Sequence, residues 1–177
     1  NFNTESKTSA LYDTLNFSVN EWEFIAILWK SWCWKTTLLN MISGLVWFDS
    51  WEITVNKEAF SKMTNEELTK FRWKNMSFIF QQFQLIPNLT VKENIELPLD
   101  INHIPAAYTV ENLLKKVWLE DKINSYIYNL SWWEQQRVAI ARAFIWKTPI
   151  LLADEPTGNL DQNNATNIMN ILNVLHK

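Results

Sequence analysis

Glycine is nearly missing from this chain: 2 residues in 177. Average usage is about 7%, or roughly a dozen in a protein this long. As written, the sequence lacks the residue that normally supplies tight turns and close backbone approaches. Cysteine is also scarce. Cys33 stands alone, which excludes an internal disulfide and suits a reducing compartment. No apolar run approaches the roughly 18 to 20 residues needed to cross a bilayer, and no charged-then-apolar secretory signal opens the chain. Membrane contact therefore has to come through a partner. A basic excess is absent too: the formal net charge is -3, so there is no electrostatic footprint for nucleic acid and none is expected as a partner.

Tryptophan is what the chain has in surplus, at 11 residues. Added to the two glycines, it matches the glycine content of an ordinary protein of this length. The positions match as well. After the apolar run Phe24-Ile25-Ala26-Ile27-Leu28 comes Trp29-Lys30-Ser31-Trp32-Cys33-Trp34-Lys35-Thr36-Thr37. With Trp29 and Trp34 read as glycine, this is the phosphate-loop spacing G-x-x-x-x-G-K-[ST]. Such a loop wraps its backbone N–H groups around phosphate so closely that an indole would fill the space the phosphate needs. The same substitution turns Leu130-Ser131-Trp132-Trp133-Glu134-Gln135-Gln136-Arg137 into L-S-G-G-E-Q-Q-R. Trp22, Trp47, Trp51, Trp73, Trp118 and Trp146 fall in turn-like contexts. The resulting expectation is that the source organism reads UGA as glycine and that the sequence carries the tryptophan reading of the same codon.

The apolar pattern alternates between strand-like and helix-like segments. Strands are expected over 11–19, 24–28, 53–55, 76–80 and, buried, 150–153. Helices are expected over 35–43, ended by Gly44, over 65–71 behind a Thr64 cap, and over 163–175. Between Thr90 and Lys147 the reading is mostly helical, with cap signals at Thr90-x-x-Glu93 and Thr109 and helical spacing from Glu111 to Val117. An α/β core with a helical insertion follows. There is no repeat, linker or low-complexity tract.

Three motifs in order carry a resemblance: the loop at 29–37, the run at 130–137, and Ile150-Leu151-Leu152-Ala153-Asp154-Glu155-Pro156-Thr157-Gly158-Asn159-Leu160-Asp161. Together they resemble the Walker A loop, signature, and Walker B strand with D-loop of ATP-binding-cassette (ABC) transporter ATPases. The likeness covers almost the whole chain. Phe78-Ile79-Phe80-Gln81-Gln82-Phe83-Gln84-Leu85-Ile86-Pro87 and Leu89-Thr90-Val91-Lys92-Glu93-Asn94 bring it nearest the lipoprotein-releasing and macrolide-exporting branch, and cell-division ATPases share much of it. The fold implied is the α/β P-loop NTPase core of the ABC type, with an antiparallel β edge and a helical insertion subdomain. The expected division is 1–84 with 148–177 as core and about 85–147 as the helical part, truncated at both ends.

The resemblance also implies roles. Lys35 pairs with the β- and γ-phosphates, Thr36 places its hydroxyl on Mg²⁺, and the amides from Trp29, Lys30, Ser31, Trp32, Cys33 and Trp34 through Thr37 cradle ATP at a helix N-terminus. A solvated surface lysine is the competing reading of Lys35. Asp154 ends a hydrophobic strand, a costly place for a carboxylate unless it serves a cation, and is read as holding Mg²⁺ through a water. Glu155 polarises the attacking water. Gln81 is the Q-loop residue that touches Mg²⁺ and that water, with Gln82 and Gln84 close by. Ser131, Trp132, Trp133 and Glu134 bind the γ-phosphate of ATP held by the opposite subunit, which requires a dimer. Glu134 stands where many relatives have glutamine. Asp161 is the D-loop acid, with a helix cap as the competing reading.

Two family features have no clear counterpart. His176 reads as a helix-end residue rather than the switch histidine, and Phe2 is a weak candidate for the aromatic that stacks on adenine. The function implied is an ATP-hydrolysing subunit, homodimeric, bound to membrane permease subunits at the cytoplasmic face of the membrane. A soluble ABC ATPase of translation or DNA repair is the second reading, opposed by the acidic balance, the single cassette and the lack of a long coiled-coil insertion between Gln81 and Ser131. A catalytically dead, Trp-rich binding module is the third.

Overall fold

The computed structural model describes residues 16–28, 33–46, 52–158 and 160–176, and no side chain of Cys33, Trp34 or His176. Among the described residues the α-helices are α1 (Cys33–Ile42), α2 (Asn65–Asn75), α3 (Val91–Asn102), α4 (Val110–Lys116), α5 (Trp132–Phe144) and α6 (Gln162–His176). Among the described residues the strands are β1 (Thr54–Val55), β2 (Glu58–Ala59), β3 (Met76–Ile79) and β4 (Ile150–Ala153). β1 and β2 form an antiparallel hairpin, the expected β edge, while β3 and β4 run parallel. Their register places Met76 opposite Ile150 and Ile79 opposite Ala153, and the ladder is extended by the Asp154 N–H donating to the Ile79 carbonyl at 2.9 Å. Both strands therefore end side by side.

Local sequence sets the helix boundaries. α2, α3 and α5 each open with a full capping box: Thr64 with Glu67, Thr90 with Glu93, Ser131 with Glu134. In each box the hydrogen bonds from the cap residue hold the glutamate below its ordinary pKa. A carboxyl depressed in the folded state contributes stability that is present above the unfolded pKa and lost as pH falls through the folded one. The expected result is that the triple variant Glu67→Gln, Glu93→Gln, Glu134→Gln loses less stability than the parent on acidification below the ordinary carboxylate range. Thermal midpoints measured across that range check it, and parallel curves would refute it.

Helix ends are as informative. α1 ends in a Schellman motif in which the Gly44 N–H donates to Met41 at 2.9 Å and the Leu45 N–H to Asn40 at 2.8 Å, with Gly44 at φ +67°. A Cβ at Gly44 would meet the Leu68 side chain at 2.8 Å. α4 ends in the same motif: the Trp118 N–H donates to Lys115 at 3.3 Å and the Leu119 N–H to Leu114 at 2.9 Å. Here the left-handed position, φ 55°, is occupied by tryptophan. Trp22 likewise sits in a turn at φ 66°.

Two apolar clusters hold the molecule together. The smaller joins Phe60, Leu68, Phe71 and Met76 beneath the sheet, with Phe60 and Phe71 in edge contact at 5.5 Å. The larger gathers Val91, Ile95, Leu113, Leu114, Val138 and Ile140, all fully buried, and reaches Ile79 of β3 and Ile168 and Ile171 of α6. It thus spans both parts of the expected division. Truncating a side chain such as Ile140 to alanine there costs about 2–5 kcal/mol. α5 is the central strut, packed against α3, α4, α6 and β3.

The structure corrects four expectations. Residues 16–19 and 24–28 form no strand; Phe24, Ile25 and Leu28 are largely exposed, and without a neighbouring ladder an apolar run is no strand. Residues 11–15 lie outside the described ones. α2 continues to Asn75, so Trp73 lies within a helix rather than a turn, because β3 follows with no intervening loop. β4 is half-buried rather than buried, with Leu151 exposed, since among the described strands it pairs only with β3.

Candidate active site

The parallel strands deliver their next residues to one edge of the sheet, the place where α/β folds bind ligands. Gln81 follows β3 by two residues, and Asp154 and Glu155 follow β4 directly. α1 points its first turn at the same edge. There the N–H groups have no intrahelical acceptor, and the helix dipole favours an anion. Lys35 and Thr36 sit in that turn.

The side chains meet. Lys35 Nζ lies 2.7 Å from Glu155 Oε1, both groups mostly shielded from solvent. The Thr36 hydroxyl donates to Asp154 Oδ2 at 2.8 Å, and Gln81 Nε2 donates to Glu155 Oε2 at 3.2 Å. Five residues separated by up to 120 positions in sequence thus form one cluster of a cation, a hydroxyl, an amide and two carboxylates. Glu155 adopts φ 46°, a left-handed conformation that a side chain with a Cβ resists, and strain of this kind concentrates at functional sites. Gly158 accommodates it: a Cβ there would lie 3.0 Å from Glu155 Oε2.

The signature segment starts α5. Ser131 is its N-cap and donates its hydroxyl to Glu134 Oε2 at 2.7 Å. Trp132 and Trp133 occupy its first turn, with Trp132 half-exposed and in edge contact with Phe83 at 4.4 Å. Trp132 lines one cleft together with Gln81, Gln136 and Glu155, so the start of α5 borders the Lys35–Glu155 cluster. Asp161 caps α6, accepting from the Asn164 N–H at 3.0 Å and from Asn164 Nδ2 at 2.5 Å. These bonds hold its carboxyl below the ordinary aspartate value. Trp29, Lys30, Ser31 and Trp32 lie outside the described residues, as do the side chains of Cys33 and Trp34. Thr37 lies in α1 one residue beyond Thr36.

The profile of the ABC transporter family matches residues 12–158. The chain belongs to that family. An uncharacterized ABC transporter ATP-binding protein of Methanocaldococcus jannaschii is 42% identical over 176 residues, 98% of this chain and 78% of the relative. The lipoprotein-releasing system ATP-binding protein LolD of Buchnera aphidicola is 39% identical, over 96% of this chain and 75% of its own. Among solved structures, the dimeric MJ0796, a bacterial ABC transporter cassette, is similar with a TM-score of 0.80 at 38% identity, over 92% of this chain and 73% of that one. The same cassette in a dimeric post-hydrolysis state bound to ADP and Pi gives 0.69 at 39%, over 81% and 65%.

This ABC chain is therefore an ATP-binding, ATP-hydrolysing transporter subunit of the P-loop ABC fold. No helix among its described residues is long and apolar enough to cross a membrane. Two residues that the sequence reading passed over reach the site from α5. Gln136, 3% exposed, donates to the Pro156 carbonyl at 3.0 Å, and Arg142 donates to the Phe83 and Gln84 carbonyls. Nothing in the sequence marks them, because the carbonyls they face come from distant loops, and a shielded polar side chain needs such a partner.

Proposed function

We propose that the Lys35–Thr36–Gln81–Asp154–Glu155 cluster is the ATP-hydrolysing centre of a homodimeric motor that docks on membrane permease subunits at the cytoplasmic face. The convergence of those five side chains on one sheet edge carries the reading. Before nucleotide enters, Lys35 and Glu155 neutralise each other. The β- and γ-phosphates draw Lys35 away and free the carboxylate to orient water. That water's oxygen attacks the γ-phosphorus as its proton passes to the Glu155 carboxylate, the bond to the β–γ bridging oxygen breaks, and ADP and phosphate result. Gln81 then fixes the water from the β3 side.

The residues present fit Mg²⁺. The Thr36 hydroxyl and Asp154 carboxylate are hard oxygen donors already within 2.8 Å, and this cation is commonly bound by one or two protein oxygens together with phosphates and waters. Thr36, Asp154 and Gln81 would hold it, and when bound it neutralises charge developing on the phosphate oxygens. The loop from 29 to 37 cradles the phosphates through its amides. In a second copy, Ser131 with positions 132 to 134 closes on the γ-phosphate, and Asp161 lies near the same junction. The helical stretch 85–147 offers the permease-docking surface, and the lipoprotein-releasing likeness favours export or extraction as the work performed.

The tryptophans of the loop and signature belong to this reading: the host inserts glycine there. Trp118 supports it, filling in the α4 cap the left-handed position that glycine fills in the α1 cap. Trp146 supports it as well, since its buried indole Nε1 has no hydrogen-bond partner.

Lys35→Ala tests the phosphate contact. Charge-assisted hydrogen bonds contribute about 1.5–3 kcal/mol, so Mg-ATP affinity should fall by about 10- to 100-fold in a calorimetric titration of the glycine-bearing protein. Unchanged affinity would remove Lys35 from the site.

A further inference from the structure

The signature helix α5 touches both loops of the catalytic centre in its own subunit. Gln136 is almost fully buried and spends its amide N–H on the carbonyl of Pro156, the residue next to Glu155. Six residues further along the helix, Arg142 spreads its guanidinium over two consecutive carbonyls, with Nη2 donating to Phe83 and Nη1 to Gln84, both at 2.5 Å. Those two residues lie just past Gln81, and both are left-handed, at φ 52° and φ 50°. Both carbonyls accept from the one guanidinium, so this left-handed turn presents them to the same side. The loop bearing Glu155 is strained in the same way, at φ 46°. Left to themselves, non-glycine residues leave such conformations, so something must over-determine them.

Arg142 is an expensive choice for mere packing. Burial pushes its guanidinium down to about 10, and among the described residues no carboxylate offsets that desolvation. It remains a cation at neutral pH, held by carbonyls alone. A methionine or leucine would fill the volume without that penalty. What an apolar side chain lacks is a rigid fork able to fix two peptide planes at once.

We propose that Gln136 and Arg142 are positioning residues for hydrolysis: from one rigid helix they fix the Glu155 loop and the Gln81 loop relative to each other, so that Gln81 and Glu155 meet at one water. This rests on the catalytic assignment of Glu155 and Gln81 made above. Because the same helix presents Ser131 at its N-terminus, the geometry of one subunit's water site is tied to the segment that faces its partner's ATP.

The test is steady-state hydrolysis by the full-length protein with glycine at the Trp positions, comparing Gln136→Met, Arg142→Met, Arg142→Lys and, as a control, Glu155→Gln. Misplacing reacting groups by about an ångström costs up to about 100-fold in rate. Gln136→Met and Arg142→Met should therefore lower kcat by about 30- to 100-fold while KM for ATP stays within about threefold. Arg142→Lys, which keeps the charge and one bond, should recover part of the loss. Hydrogen exchange of the amides over 80–84 should quicken in Arg142→Met.

Parental kcat in any folded variant at Gln136 or Arg142 would overturn the proposal. So would failure of the mild Gln136→Met and Arg142→Lys to fold, which would make both residues structural only. If Glu155→Gln alone kept full turnover, the catalytic assignment would fall instead, and the two failures are distinguishable.

Discussion

Glu155→Gln should reduce ATP hydrolysis by about 100-fold or more, the usual contribution of a positioned general base, while nucleotide binding is kept or tightened. The loss follows from replacing the carboxylate that both Lys35 and Gln81 contact by an amide that accepts water's proton poorly. The gain follows from the resting state. With Glu155 intact, Lys35 is paired with it at 2.7 Å in a mostly shielded site, and phosphate has to compete for it. Glutamine leaves Lys35 free, so the apparent Kd for Mg-ATP should fall by a few-fold even as turnover disappears. Phosphate release and calorimetric titration on the same preparation measure the two effects. Turnover within about threefold of the parent would exclude Glu155 as the water-orienting group. Loss of binding together with turnover would mean instead that the Lys35–Glu155 pair holds the site in shape.

Much of the candidate site is legible in the residue string because each proposed catalytic group lies beside an element readable from local chemistry. Asp154 and Glu155 follow a short apolar strand, Gln81 follows another, and Lys35 opens a helix whose end is marked by Gly44. Parallel pairing of the two strands then brings the loops together with no further information. The caps at Thr64, Thr90 and Thr109 are legible for the same reason, as each is complete within four residues, whereas the Ser131–Glu134 box went unread behind the signature. What escapes is everything that depends on a distant partner. The run at 24–28 has the composition of a strand, but composition cannot supply a ladder. Gln136 and Arg142 look like two more polar residues of an amphipathic helix until the carbonyls they face, 20 and 58 positions away, are known. Asp161 illustrates a third case, since its capping bonds to Asn164 are local and compatible with a second role across a dimer.

Restoring glycine at the tryptophan positions should change the protein more than any single catalytic substitution. Two kinds of effect are separable. At Trp118 the question is conformational: a residue with a Cβ at φ 55° pays roughly 1–2 kcal/mol that glycine does not. Trp118→Gly alone should therefore raise the thermal midpoint of the chain as written by a few degrees, about 2–4 °C per kcal/mol at this size. Trp73→Gly should do the reverse, because Trp73 lies inside α2, where glycine costs about 1 kcal/mol in a helix. At positions 132 and 133 the backbone is already helical, so the reason for glycine is the space a partner's phosphate needs over the N-terminus of α5. Glycine at 29, 32 and 34 should recover Mg-ATP binding; glycine at 132 and 133 should be required in addition for dimer-dependent hydrolysis. Calorimetry on the unrepaired, loop-repaired and fully repaired chains orders these steps. Micromolar ATP binding by the unrepaired chain would show that the loop tolerates indoles, and the steric account of it would be wrong. The codons give an independent answer: UGA at every tryptophan, with peptides from the host lighter at each site, is the expected finding, and UGG at Trp32 or Trp132 would end the glycine reading.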